Sequence, residues 1–216
     1  MSGRAKAARA AVCGVVCILA ASLALASDNA EGGDALSREV QQTLHWILAS
    51  SDNRGLPFAI VDKKAARLIV FGPKGQPLGA APALTGSASG DHDAPGLGRL
   101  EPALIPQLQR TTPAGRFASE PGRNLMGEAV VWVDYDAGLA IHRVRPGPAQ
   151  AEREQRLASA TPDDNRASLG CVVVTPTFFD GIVAPVLGQG RGVVYVLPET
   201  ATLAASNEPL AVRAGL

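Results

Sequence analysis

Pro57-Phe58-Ala59-Ile60-Val61-Asp62 and Arg67-Leu68-Ile69-Val70-Phe71, joined through Lys63-Lys64, read as two β-strands folded back on one another. Both arms are short and rich in Ile, Val and Phe, side chains that suit a pleated surface, and the polar lysine pair supplies the turn. Residues 130–135 and 139–144 repeat the pattern, with Asp136-Ala137-Gly138 as their turn. Val172-Val173-Val174 reads as a short buried strand, and residues 192–197 as a closing strand before Pro198.

Helical spacing occurs in two places. Leu36, Val40, Leu44, Ile47 and Leu48 follow Asp34 at the right intervals for an amphipathic helix over residues 35–49. Residues 178–187 have the same spacing, with Pro185 limiting the helix end. Pro73, Gly75, Pro77 and Gly79 punctuate the stretch after the first hairpin. Residues 85–99, rich in glycine and with Leu97 as the main apolar side chain, read as a long surface loop of the kind that borders binding sites. The sum is a mainly β protein with a few helices, a β-rich α+β chain built as a small barrel or a sandwich. Periodicity does not separate those two.

The N-terminus decides which cysteines matter. Arg4, Lys6 and Arg9 precede an apolar run over residues 10–25, and Ala24-Leu25-Ala26 has the small-x-small form of a secretory cleavage site. A cleaved signal peptide over residues 1–26 is therefore expected, and with it export to the periplasm or cell envelope. The run is shorter than the ~20 residues of a spanning helix, so retention as an anchor is the lesser alternative. Cleavage would leave 190 residues, enough for a domain that buries about 70% of its unfolded surface without a disulfide. It would also leave 17 basic against 20 acidic residues, a balance of −3. With 4% aromatic residues and no basic run, the chain lacks the electrostatic and stacking features of a nucleic-acid binder.

Three cysteines become one, Cys171, which has no internal disulfide partner. It is open to two readings, a buried structural thiol or a nucleophile. Ser168-Leu169-Gly170-Cys171 puts the thiol after a glycine, where the backbone can turn sharply and a carbonyl can approach. Backbone N–H groups at such a turn can hold an oxyanion. A free thiol is only a few per cent thiolate at neutral pH, so it needs a base. Of His45, His92 and His142, the last is the best placed, on a strand that can aim it. His45 reads as a packing or surface residue and His92 as a solvated loop residue. The histidines, cysteine and carboxylates show no metal-ligand spacing.

Several motifs then occur in a fixed order. The hairpin of residues 58–71 is followed by Leu84-Thr85-Gly86, by Thr112-Pro113-Ala114-Gly115-Arg116-Phe117, by His142 and by Ser168-Leu169-Gly170-Cys171. That set resembles the L,D-transpeptidase (YkuD-like) catalytic domains, with their Thr-Pro-x-Gly-x-Phe signature and Ser/Thr-x-Gly-Cys nucleophile motif. The resemblance implies an L,D-transpeptidase-like β-barrel or sandwich over residues 56–198. A polar segment and helix over 27–55 would precede it, and a tail over 199–216 would follow.

The resemblance also implies a reaction. Cys171 would attack a peptidoglycan stem peptide and form a thioester, with His142 as general base. Gly170 would serve the oxyanion, and no cofactor or metal is implied. Ser168, Arg143 and Arg166 are open to two readings, contacts to the substrate's carboxylates or solvent-facing or structural roles. Water or a protein amine as acceptor would instead give an L,D-carboxypeptidase or an attachment enzyme. Loss of catalysis would leave a wall-binding or regulatory module.

Two positions depart from the family. Leu169 stands where many relatives have a second histidine, and Val173 where they have Arg or Asn. The charged stretch Glu152-Arg153-Glu154-Gln155-Arg156, in a longer insertion than usual, reads as a solvated lid or helix.

Overall fold

The computed structural model describes residues 35–93 and 96–200. The expected leader, the polar residues 27–34 and the tail beyond Thr200 lie outside the described residues. Within them the chain is mainly β, as its sequence predicts. The strands are β1 (Phe58–Asp62), β2 (Arg67–Phe71), β3 (Pro77–Pro82), β4 (Thr85–Gly86), β5 (Gly115–Arg123), β6 (Ala129–Asp134), β7 (Leu139–Arg143), β8 (Arg166–Ser168), β9 (Val172–Val174) and β10 (Gly192–Val196). Two longer helices, α1 (Arg38–Ser50) and α2 (Gln150–Ala158), accompany them. A helical run, α3, combines an α-turn at Pro176–Phe178, a π-turn at Phe179–Val183 and an α-turn at Ala184–Leu187.

Eight strands form one sheet in the order β3-β2-β1-β10-β5-β6-β7-β9, and β4 pairs with β8 in a small second sheet. The pairs β1/β10 and β7/β9 are parallel and the other pairs of the large sheet are antiparallel. The sheet's two outer strands approach each other. Leu84, two residues past β3, exchanges both backbone hydrogen bonds with Val173 of β9, at 2.7 and 2.9 Å. The result is a nearly closed barrel.

Strand alternation sorts the side chains. Ala59, Val61, Leu68, Val70, Phe117, Val131, Ile141, Val172, Val194 and Val196 share one cluster with Phe179, Val183 and Leu187 of α3, so α3 fills the concave side. Phe58, Ile60, Ile69, Phe71, Val193 and Tyr195 point the other way and are covered by Val40 and Ile47 of α1. β1 and β10 are thus buried on both faces, which is why they read as unbroken apolar runs. Burying a side chain such as Ile47 on this face contributes about 1.5–3 kcal/mol.

Several boundaries differ from the sequence reading for local reasons. α1 begins at Arg38 because Ser37 is its cap: Ser37 Oγ accepts the Val40 N–H and donates to Asp62 of β1. α3 begins earlier than expected, where Thr175 Oγ1 caps Phe178 and Pro176 takes a first-turn position. It runs past Pro185 to Leu187, because Ala184 N–H bonds back to Phe179 O and the widened turn accommodates the ring. The proline-marked stretch after the first hairpin forms β3, an outer strand paired only with β2, where proline is tolerated.

The glycine-rich segment expected at the surface is partly internal. It opens with β4 and carries Asp91 into the interior, where Asp91 Oδ1 accepts from Lys63 Nζ at 2.8 Å. Lys63 is 3% exposed, and it also donates to Gly90 O and Thr112 O. Such a cation is tolerated inside because all of its donors are met.

Candidate active site

Cys171 sits between β8 and β9, and His142 on β7, the parallel neighbour of β9. Alternation along β7 puts Ile141 in the barrel core and turns His142 to the opposite face. Both residues line one cavity of about 540 Å³, whose walls include Trp132, Tyr135, Leu139, Leu169 and Val173.

The loop that presents the thiol is held from three sides. Gly170 has φ +134°, and a Cβ there would lie 2.8 Å from Thr111 O, so glycine is required on both counts. Ser168 Oγ donates to Cys171 O at 2.6 Å and accepts the Gly170 N–H at 3.0 Å. Thr112 Oγ1 donates to Gly170 O at 2.7 Å and accepts the Gly86 N–H at 2.8 Å, which ties the loop to β4. Lys63 in turn holds Thr112 O.

The Cys171 thiol is half-buried and donates to Gly138 O at 3.4 Å. No hydrogen bond joins it to His142. Burial pushes the thiol up from its ordinary pKa, against the opposing pull of the Ala140 N–H and of Arg145. The thiol at rest is therefore protonated. His142 is 7% exposed, and its Nδ1 lies 2.7 Å from Arg143 O. A carbonyl only accepts, so the proton is assigned to Nδ1 and Nε2 keeps the lone pair. Burial pushes the ring down to about 4, with Arg145 and Arg153 adding to the effect and the Arg143 carbonyl opposing it. The imidazole is neutral near pH 7 and able to take a proton.

The expected site residues separate in space. Cys171, His142, Ser168 and Gly170 come together on the cavity. Ser168 spends its hydroxyl on the loop, and the Gly170 N–H is engaged by that same hydroxyl. Arg143 and Arg166, open to a substrate contact or a structural role, are absent from the cavity wall. Arg143 is directed away from His142 by strand alternation and pairs with Asp180 of α3 at 2.8 Å. Arg166 pairs with Glu199 beside the Lys63 cluster. Arg123, Arg145 and Arg153 line the cavity in their place.

Among the described residues no cluster of His, Cys, Asp or Glu is arranged to hold a metal. No protein-family model matches the chain, and no curated protein matches it either. Among solved structures it is similar to Bd1075 of Bdellovibrio bacteriovorus, at 18% identity and a TM-score of 0.38, over 66% of this chain and 47% of that one. It is also similar to the LD transpeptidase LdtMt1, solved in complex with imipenem, at 16% identity and a TM-score of 0.37, over 65% of this chain and 58% of that one. The matched part spans about half the length of these structures. Neither similarity assigns a family.

Sequence reasoning missed Thr112 as the brace of the Cys171 loop, Gly138 as the resting acceptor of the thiol, and the arginines of the wall. For Arg153 a signal existed. Arg153 and Leu157 are four apart and share a face of α2. Leu157 packs with Leu84, Val144 and Val173, so the face that docks α2 also presents Arg153 to the cavity. Val173, which departs from the family motif, is part of that docking surface.

Proposed function

We propose that this protein is a thiol acyltransferase acting outside the cytoplasm on peptidoglycan stem peptides, in the manner of the L,D-transpeptidases. The observation that carries the reading is the shared cavity. It is lined both by a thiol on a glycine-shaped loop and by a neutral histidine whose Nδ1 is committed as donor and whose Nε2 is left as base. The ordered motifs of the sequence support the substrate class, and the leader expected over residues 1–26 supports export.

The reaction begins when the thiol leaves Gly138 O by rotation about its Cα–Cβ bond and turns to the imidazole. Sγ bonds to the carbonyl carbon of a stem amide while its proton passes to His142 Nε2. The tetrahedral intermediate then collapses, the C–N bond breaks, and the departing D-Ala amine takes the proton back from His142. An acceptor amine then attacks the thioester carbon, the C–S bond breaks, and the proton that the amine loses passes through His142 Nε2 to the sulfur, which restores the thiol.

Intact mass after exposure to a carbapenem tests this reading. One covalent adduct is expected on the natural chain and none on Cys171→Ala; an adduct that persists in Cys171→Ala overturns it. Muropeptide profiles separate acceptors, since shortened tetrapeptides without cross-links mean that water takes the acyl group. The thiol's bond to Gly138 rather than to His142 favours a second reading, a wall-binding module with an inert cysteine. Binding to purified sacculi with no adduct at all would support it.

A further inference from the structure

The cavity beside Cys171 is lined by three arginines, and Asp93 is the one acidic residue among the described lining. The arginines differ in what they already hold. Arg123 donates to Gly127 O at 2.5 Å. Arg145 is ion-paired with Glu128, Nε to Oε2 at 3.1 Å, without the alignment of a hydrogen bond. Arg153 has neither an ion pair nor a side-chain hydrogen bond among the described residues. Elsewhere the guanidinium groups of Arg116, Arg143, Arg156 and Arg166 are tied to carboxylates. Arg153, and the Arg145 guanidinium beyond its contact with Glu128, thus keep donors open toward the cavity that holds the thiol.

Both forks are held in place from behind. Glu128 faces Arg145 and is itself fixed by Asn124 Nδ2 at 2.7 Å. Arg153 is fixed by α2, which docks through Leu157. Arg145 acts electrostatically on both Cys171 and His142, and Arg153 acts on His142, so an anion held between them lies next to the reacting pair. A guanidinium matches a carboxylate with paired N–H donors. The remaining wall, with Leu97, Leu100, Val130, Trp132 and Leu139, suits the apolar parts of a peptide better than a highly charged polyanion.

We infer that Arg145 and Arg153 form a carboxylate seat beside Cys171, which selects an acyl donor bearing a free carboxylate close to the attacked carbonyl. The word donor rests on the proposed acyltransferase function; the seat itself is a binding site and is testable without turnover.

The test is calorimetric binding to the full chain carrying Cys171→Ala. The probes are a stem tetrapeptide and its counterpart with every carboxylate converted to carboxamide. The acid form is expected to bind about tenfold or more tightly, the size of one charge-assisted hydrogen bond. Singly amidated peptides identify which carboxylate is read. Arg145→Gln and Arg153→Gln should each reduce the preference, and together abolish it. Arg191→Gln, at an exposed site paired with Glu120, should leave it intact.

Equal affinity for the two peptides, no binding of either, or a preference that survives both substitutions would overturn the seat. Inorganic phosphate that displaces the peptide at equal concentration would also overturn it, since the site would then read charge alone. Should the double variant fail to fold, Arg153→Gln alone must still lower the preference. A natural chain that forms no carbapenem adduct but still prefers the acid peptide would remove the acyltransferase reading and leave the seat. An adduct without the preference would do the reverse.

Discussion

Thr112 Oγ1 donates to Gly170 O at 2.7 Å, so the residue that precedes Cys171 is fixed by a hydroxyl 58 positions away. The same oxygen accepts the Gly86 N–H, and Thr112 is 1% exposed. One side chain therefore joins β4, the segment before β5 and the Cys171 loop without help from water.

Thr112→Val keeps the shape and removes both bonds. Each buried polar group left without a partner costs about 1–3 kcal/mol, and both the Gly86 N–H and the Gly170 carbonyl are left so. We expect a clear fall in the urea midpoint for Thr112→Val and a much smaller one for Thr112→Ser. Equal midpoints for the two variants would show that the hydroxyl does not brace the loop.

Asp91 ties a second part of the site together. Burial opposes its ionisation, but Lys63, Thr200 and the N–H groups of Glu199 and Thr200 outweigh burial and hold its carboxyl well below the usual range. With the folded value depressed, the stabilisation is present above the ordinary value of 3.8 and is lost as pH falls below it. Asp91→Ala also takes from Lys63 its nearer carboxylate and leaves Glu199 at 3.7 Å with the two carbonyls, so the loss should fall toward the low end of the about 3–5 kcal/mol for a broken buried pair. Chemical denaturation across pH should show that loss in full at pH 7 and diminishing toward pH 2. A pH-independent difference would contradict the ion-pair account.

Cys171 offers a direct reading of its surroundings. Because burial raises the thiol, alkylation by iodoacetamide should be slow at pH 7 and should still be climbing past the ordinary thiol range, about pH 8.5. The rate is followed by intact mass. A plateau near pH 7 would mean that the thiolate is stabilised at rest and that the Gly138 contact is not the resting state.

β1, β2, β6, β7, β9 and β10 were legible because each carries its signal locally. β1 and β2 need only β-favouring side chains and a polar turn, and β6 and β7 repeat the device with Gly138. β3 was obscured by Pro77 and Pro82, whose missing N–H groups matter less on an outer strand, and β5 by Pro121 and Gly122. Those positions are decided by which neighbour is absent, a property of the whole sheet. Cys171 and His142 stood out in the sequence by residue type, and the fold places both on one cavity. For Arg143 and Arg166 the choice between a substrate contact and a structural role stayed open, since charge type alone does not say which carboxylate is nearer. Asp180 and Glu199 claim them, while Arg145 and Arg153 reach the cavity because β7 has ended and α2 has docked.

His142 supplies the remaining test, because its burial has two separate consequences. Its folded value is about 4 against an ordinary 6.5, so between those values the unfolded chain binds more protons than the folded one. Stability is then full above pH 6.5 and is lost as pH falls toward 4, by an amount on the order of 3 kcal/mol. His142→Gln should flatten that part of the stability curve measured by urea unfolding. The same shift keeps Nε2 unprotonated through the physiological range, so acylation of Cys171 by a carbapenem should show its acid limb near pH 4 and none near 6.5. A limb near 6.5 that vanishes in His142→Gln would mean that the working imidazole is solvated, and that the cavity opens before the thiol reacts.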